Sequence, residues 1–573
     1  MKTQYKKKVH KLATILLAAS AFAFFGCGDE EEEGEEKFEL GDNVYQFESE
    51  TLTLTGVNGK SIYLAKVNSS MDTNKTPLKI TSSPNVTAPY SSLKASFNLA
   101  NDDSEDLILP NKRHRVPTEA EIEMAKEFGK LHVATYGKQS RAALQALFST
   151  HTSEQAVDDT AEIFVETKSG YVQAPATLRA SGTYCNVWVI DDCHTTETAY
   201  GTKITTAQAK EIQSNFDKIY PIETNVFGTE SDKIYTRTFK EAKNGQAVYD
   251  QALANMSEEG DYGTKINIVI CDLPTGYEGY FAPKDYISCD WETGGIYDYS
   301  NCGKFFYVDA AAVNESMKGA LLTLAHEFQH MIAFNMKTIQ NNAAFSTFVD
   351  EMCAMVCEDM MASYLGVSND DTPKQRLPVF NTHYYSVGVD EWFDNGNENQ
   401  YSYAQAYAFG AWICRQYGGA KLAKAILSNK YGEIDAVREA IKSVAGTSLS
   451  DAHLLELYIQ ALVFNTTSFT HPTLNKNADE TLTYGSGDSQ YKYPMSAINL
   501  WKLKEALPTY SAANTNTTYY KYDGPKYLSA SDTSEIRPKG FTLHEIGTAS
   551  ADSVTLTLSG SPSGSTRYYV LVQ

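Results

Sequence analysis

Apolar positions at Leu321, Leu324, Ala325, Phe328, Met331 and Ile332 recur with helical spacing, which predicts an amphipathic helix packed into a core. Strand patterns precede it. Cys185–Ile190, Lys265–Cys271 and Lys304–Asp309 are short apolar runs, and Thr206–Ile219 has the period of an amphipathic helix. After residue 320 the pattern is mostly helical as far as Phe464, interrupted at Gly418-Gly419 and Gly446. Strands followed by helices predict an α+β domain over residues 181–470.

The two ends read differently. From Phe38 to about Pro110, Leu52 and Leu54 alternate with threonines, and Asn58-Gly59 marks a hairpin turn before Ser61–Val67. This predicts an N-terminal β domain over 38–110. Residues 111–180 open with a polar link and continue into a helical stretch near Thr118–Phe148, with the character of a linker or prosegment. From 479 to 573 short strands return, ending in Ser553–Leu558 and Tyr568–Val572, which predicts a C-terminal β domain.

The first 26 residues have the form of an export signal: Lys2, Lys6, Lys7, Lys8 and Lys11, then an apolar run from Leu12 to Phe25 too short to span a bilayer. Cys27 follows Gly26 in a pattern resembling the lipobox of bacterial lipoproteins, so lipidation at Cys27 and anchoring in a membrane are expected, with plain secretion as the alternative. Bulky Phe25 departs from that pattern. The acidic run within residues 27–37 reads as a solvated tether. Removing residues 1–26 takes away five lysines and no acid, which moves the formal charge from -22 to -27 and argues against a nucleic-acid partner.

Eight of the nine cysteines lie beyond Cys27, in a chain bound for a compartment where disulfides persist. Spacing favours Cys185 with Cys193 and Cys289 with Cys302. Cys353 and Cys357 fall four apart on a predicted helix and read as buried thiols.

The predicted helix at 321–335 carries the chemistry. His326 and His330 stand one turn apart on one face, a spacing that lets two imidazoles reach a single Zn²⁺. Glu327 beside them can take the proton of a metal-bound water, the general-base role in zinc peptidases. With 11 histidines in the chain, a chance His-Glu-x-x-His has a probability on the order of 1%. A third protein ligand is needed, and no histidine follows His330 closely. Phe348–Asp359, a second predicted helix, offers Glu351, 21 positions after His330.

His326-Glu-Phe-Gln-His-Met-Ile332 together with Asp350-Glu-Met-Cys-Ala-Met-Val-Cys-Glu-Asp359 resembles the hyicolysin family of neutral gluzincin metallopeptidases. The resemblance implies a zincin-like domain, His326, His330 and Glu351 as ligands, and Glu327 as catalytic base. The wider gluzincin pattern has an acid four residues after the third ligand, and this chain has Met355 there. Glu358 is the substitute as an orienting acid, or itself the ligand. Tyr401–Gly410 resembles the family's tyrosine-bearing stretch, so Tyr403 and Tyr407 lead His383 as donors to the transition-state oxyanion.

The expected function is a secreted or surface-anchored zinc endopeptidase acting on extracellular protein or peptide. The alternative from another class is a surface binding lipoprotein with a degenerate peptidase domain. A Gly-x-Ser-x-Gly elbow, a phosphate loop and a dinucleotide fingerprint are all absent from the sequence.

Overall fold

The computed structural model describes residues 38–82, 155–195, 202–237, 263–274, 276–289, 296–394, 396–465, 470–513 and 523–573, with short pieces between them. Residues 1–37, including the expected signal, Cys27 and the tether, lie outside the described residues. Among the described residues no helix is long and apolar enough to cross a membrane.

The central sheet has seven strands: β1 (Arg113–His114), β2 (Thr160–Thr167), β3 (Gly170–Ser181), β4 (Cys185–Ile190), β5 (Ile266–Cys271), β6 (Tyr277–Phe281) and β7 (Phe305–Asp309). Their order is β1-β6-β7-β5-β4-β3-β2. Strands β4, β5 and β7 run parallel to one another, and β6 lies antiparallel to β7. The three predicted apolar runs form this parallel centre because both its faces are covered, which leaves β4 and β5 buried at every residue. Strands β2 and β3 pair as a hairpin and β3 continues the sheet beside β4. The stretch 160–180, read from sequence as linker, therefore belongs to the central domain.

Helix α1 (Thr206–Phe227) starts with a capping box between Thr205 and Gln208. It packs beside α2 (Met317–Ala333): the Phe216 and Phe328 rings lie 5.2 Å apart edge to face, and Phe216 meets Phe306 of β7 at 5.7 Å. Ser316 caps α2 by accepting the Gly319 N–H, and every residue from Gly319 to Ala333 is buried. A π-helical turn, Phe334–Ile339, follows directly. Helix α3 (Thr347–Leu365) is capped by Ser346 and stopped by Gly366 in the left-handed region (φ 63°). Helix α4 (Gly396–Tyr417) lies against α3, closely enough that a Cβ at Gly410 would meet Met352 Cγ at 2.6 Å.

The β-rich ends, expected as separate domains, share their strands. Ser61–Asn68 pairs with Phe541–Ala549 on one side and Thr566–Val572 on the other. Thr51–Thr55 pairs with Ser553–Leu558, which also pairs with Ile80–Ser82. The result is one sandwich of a five-stranded and a three-stranded sheet, with Leu54, Ile62, Leu64, Leu556, Val570 and Val572 in its core. The N-terminal end supplies five of the eight strands and the C-terminal end three, interleaved in both sheets, so neither could bury its apolar face without the other.

The expected Cys185–Cys193 disulfide does not form: both are thiols, as are Cys271, Cys353, Cys357 and Cys414, whereas the expected Cys289–Cys302 pairing involves a side chain outside the described residues. Cys185 opens β4 and Cys193 lies past its other end. At about 3.3 Å per residue the strand holds them far beyond the separation a disulfide bridges.

Candidate metal centre

Helix α2 presents His326 and His330 on one side, their rings edge to face with centroids 4.7 Å apart. Glu351, from the first turns of α3, faces both: its Oε2 lies 3.2 Å from His326 Nε2 and its Oε1 3.7 Å from His330 Nε2. All three side chains are buried. His326 Nε2, His330 Nε2 and Glu351 Oε2 have no hydrogen-bond partner among the described residues. Burying three such atoms unpaired is unfavourable, and their ligand atoms lie within 4.8 Å of one another. Two imidazole nitrogens and one carboxylate oxygen around a common point are the donor set of a divalent metal with one position left open. The residues present fit a bound zinc ion.

The His326 imidazole is held from behind by a hydrogen bond, and an acid stands near the corresponding nitrogen of His330 without hydrogen-bond geometry. Glu358 Oε1 lies 2.8 Å from His326 Nδ1, and Asp350 Oδ2 lies 3.1 Å from His330 Nδ1. Each contact leaves the far nitrogen directed at the centre. Burial opposes charge on His326, but Glu351 and Glu358 outweigh it and raise its pKa to about 10. Glu351 accordingly stands below the ordinary carboxylate range: burial works against this, but His326 and then His330 prevail. Glu358 approaches the nitrogen opposite Glu351, so the two acids flank one ring and only Glu351 faces both histidines.

Residues 175–521 match the Peptidase M30 family. The chain belongs to that family. Over 285 residues it is also 27% identical to "Neutral metalloprotease ShpI" of Staphylococcus hyicus, a match covering 46% of this chain. The match spans about half, 53%, of that relative's length. The M30 assignment bears out the resemblance read from the two helices.

Within this M30 chain, Glu327 is fully buried, and burial pushes its carboxyl up to about 7, with His326 and His330 opposing. Strand β6 passes over it at Gly279, where a Cβ would meet Thr323 Cγ2 at 2.7 Å and Glu327 Cγ at 3.0 Å. Only a residue without a side chain lets the strand cross the helix so closely.

The two tyrosines separate. Tyr403 from α4 reaches the centre, its hydroxyl 3.3 Å from Glu351 Oε1. Trp392 meets its ring edge to face at 4.8 Å and the Arg376 guanidinium lies over it at 4.3 Å. Tyr407, one turn on, instead donates to Asp359 at 3.1 Å, and Asp359 is bound to Arg415 at 2.8 Å. The structure thus takes Tyr407 out of the centre and into a buried ionic cluster. His383 stacks on Tyr401, with ring centroids 4.2 Å apart.

Two residues at the centre were not read from the sequence. Asp350 was given no role in the motif, although the need for an acid near each imidazole could have singled it out. His114 Nδ1 lies 2.5 Å from Glu327 Oε1, and its ring stacks on His326 with centroids 3.5 Å apart. It lies 213 residues before Glu327, and no spacing rule reaches that far.

Proposed function

We propose that this chain is a secreted or surface-anchored zinc endopeptidase that hydrolyses peptide bonds of extracellular proteins. The observation that carries the reading is the convergence of three buried, unpartnered donor atoms from His326, His330 and Glu351 beside a buried carboxylate, Glu327. A zinc ion held there supplies Lewis acidity, lowering the pKa of a bound water and polarising a carbonyl. Glu327 takes the water's proton and returns it to the leaving amine, a task suited to a carboxyl whose pKa lies near neutrality. Glu358 fixes the His326 imidazole in orientation and tautomer, and Asp350 sets a negative charge beside His330 Nδ1.

The Tyr403 hydroxyl donates to the oxygen on which negative charge develops. Its burial pushes its pKa well above the ordinary value, so it keeps its proton. Glu358 as the metal ligand is disfavoured by its place behind His326. The export pattern of residues 1–26 supports work outside the cytoplasm, and lipidation at Cys27 would keep it on a membrane surface, with plain secretion as the alternative.

Elemental analysis of the wild type beside His326→Ala and Glu351→Ala tests the ligand set. One zinc per chain in the parent and loss of it in both variants is the expected result. Glu327→Gln should keep the metal and lose peptide hydrolysis by about 10²–10⁴-fold. Full hydrolysis by Glu327→Gln would overturn the mechanism.

A further inference from the structure

In the intact chain, the approach to Glu327 is already taken by the protein's own backbone. Strand β1 lies on the outer edge of β6, parallel to it, with Arg113 opposite Tyr277 and His114 opposite Gly279. That edge borders the centre, because β6 crosses α2 at Gly279 over Glu327. Adding an extended peptide to a free sheet edge is a general mode of peptide recognition, so a substrate lying alongside the centre would need the edge that β1 covers.

The side chain of His114 takes more. It contacts Glu327 Oε1 at 2.5 Å, the carboxylate that must receive a proton, and its ring covers His326. Its backbone takes the Tyr403 hydroxyl in both senses: the carbonyl accepts from it at 3.1 Å and the N–H donates to it at 3.2 Å. Further along, Ile122 lines an apolar pocket beside His330, together with Phe281, Phe334 and Phe345. Gly129 then lies so close to the π-helical turn that a Cβ there would fall 2.0 Å from the Thr338 carbonyl oxygen. Base, oxyanion donor and strand edge are thus engaged by β1, and Ile122 and Gly129 border the neighbouring pocket and π-helical turn.

We propose that strand β1 with its His114, bordered by Ile122 and Gly129, is a built-in inhibitor that occupies the substrate path and holds the peptidase latent until it is displaced. The proposal rests on the peptidase reading above. A working site cannot keep its proton acceptor and its oxyanion donor bound to its own chain while a substrate uses both. His114 as part of the working machinery would predict the opposite response to its removal.

The test uses the zinc-loaded full chain as the parent, His114→Ala and Ile122→Ser, each checked for folding by circular dichroism. Affinity for a peptide hydroxamate is measured by calorimetry, hydrolysis with a quenched fluorescent peptide library, and amide exchange at Tyr277–Phe281 by mass spectrometry. His114→Ala should bind the hydroxamate at least tenfold more tightly, cleave at least tenfold faster and exchange faster at Gly279. Ile122→Ser should shift all three in the same direction by less. Unchanged or weaker hydroxamate binding in the folded variants overturns the proposal, and slower cleavage by His114→Ala assigns that residue to catalysis instead. Tighter binding without hydrolysis in any form keeps the occupied path and removes the peptidase reading.

Discussion

His326 Nδ1 and Glu358 Oε1 lie 2.8 Å apart, on the side of the imidazole away from Glu351. The contact joins the middle of α2 to a point two turns beyond Glu351 on α3, so one helix pair carries both a candidate ligand and the acid that aims another. Replacing Glu358 with Gln should leave the ligand set complete and lower zinc affinity by about 10–100-fold. Competition against a chelator measures it, and an unchanged affinity would show that His326 needs no such support.

Tyr403 and Tyr407 should respond differently to the loss of one oxygen. Tyr403→Phe should lower kcat by about 10²–10³-fold, the range for removing one oxyanion donor, with little change in zinc content. Tyr407→Phe removes a partner of buried Asp359 and should lower stability by about 1–3 kcal/mol at nearly normal kcat. Steady-state kinetics beside urea denaturation separates the two, and equal kinetic losses would contradict the assignment.

Gly279→Val should strike the centre from the sheet side. The added carbons would meet Thr323, the Tyr307 carbonyl oxygen and Glu327, so either β6 lifts or Glu327 turns. Overpacking of this kind costs about 1–3 kcal/mol. Hydrolysis should fall while metal binding survives, because the atoms a Cβ at Gly279 meets first belong to Thr323, Tyr307 and Glu327 and to none of the three ligands. A variant with parental turnover would mean that β6 has room to spare.

The sandwich should weaken in mild acid through His544. This histidine is buried, its Nδ1 facing the Ser529 carbonyl oxygen at 2.8 Å and its Nε2 facing Thr542 Oγ1 at 2.9 Å. Burial, followed by the charge of Lys66, lowers its pKa to about 4. Above the ordinary value of 6.5 both folded and unfolded chains are neutral there, and this group gives no pH dependence. As pH falls from 6.5 towards 4, the unfolded chain binds a proton that the folded one refuses, and stability drops by up to about 3 kcal/mol. Thermal unfolding from pH 7.5 to 4 should show a shallower loss for His544→Gln than for the parent.

Short-range periodicity carried much of this. Helices α2 and α3, the parallel strands and the two histidines with Glu351 all follow from patterns within about 30 residues, because a helix sets its own spacing and packs its apolar side. The mixed α+β character followed from the same runs. The extension of the sheet by β2 and β3 was missed because their alternation is weak and half exposed. The parting of Tyr403 from Tyr407 depends on how α4 is rotated against α3, which two tyrosines four apart do not report. His114 was beyond reach for a different reason: its role comes from a strand pairing that involves only two residues of β1. The same holds for the shared sandwich, whose partners lie about 500 residues apart.

That sharing bears on the order of events in synthesis. Ser61–Asn68 is made early, yet one of its two flanking strands is Thr566–Val572, about 500 residues further along the chain. The sandwich therefore cannot close until Thr566–Val572 has been made, and a nascent chain stalled anywhere in the peptidase region would hold Ser61–Asn68 without this partner. Closure therefore reports, through tertiary structure, that everything between the two sets of strands has been made: only a chain carrying both sets hides their edges from aggregation.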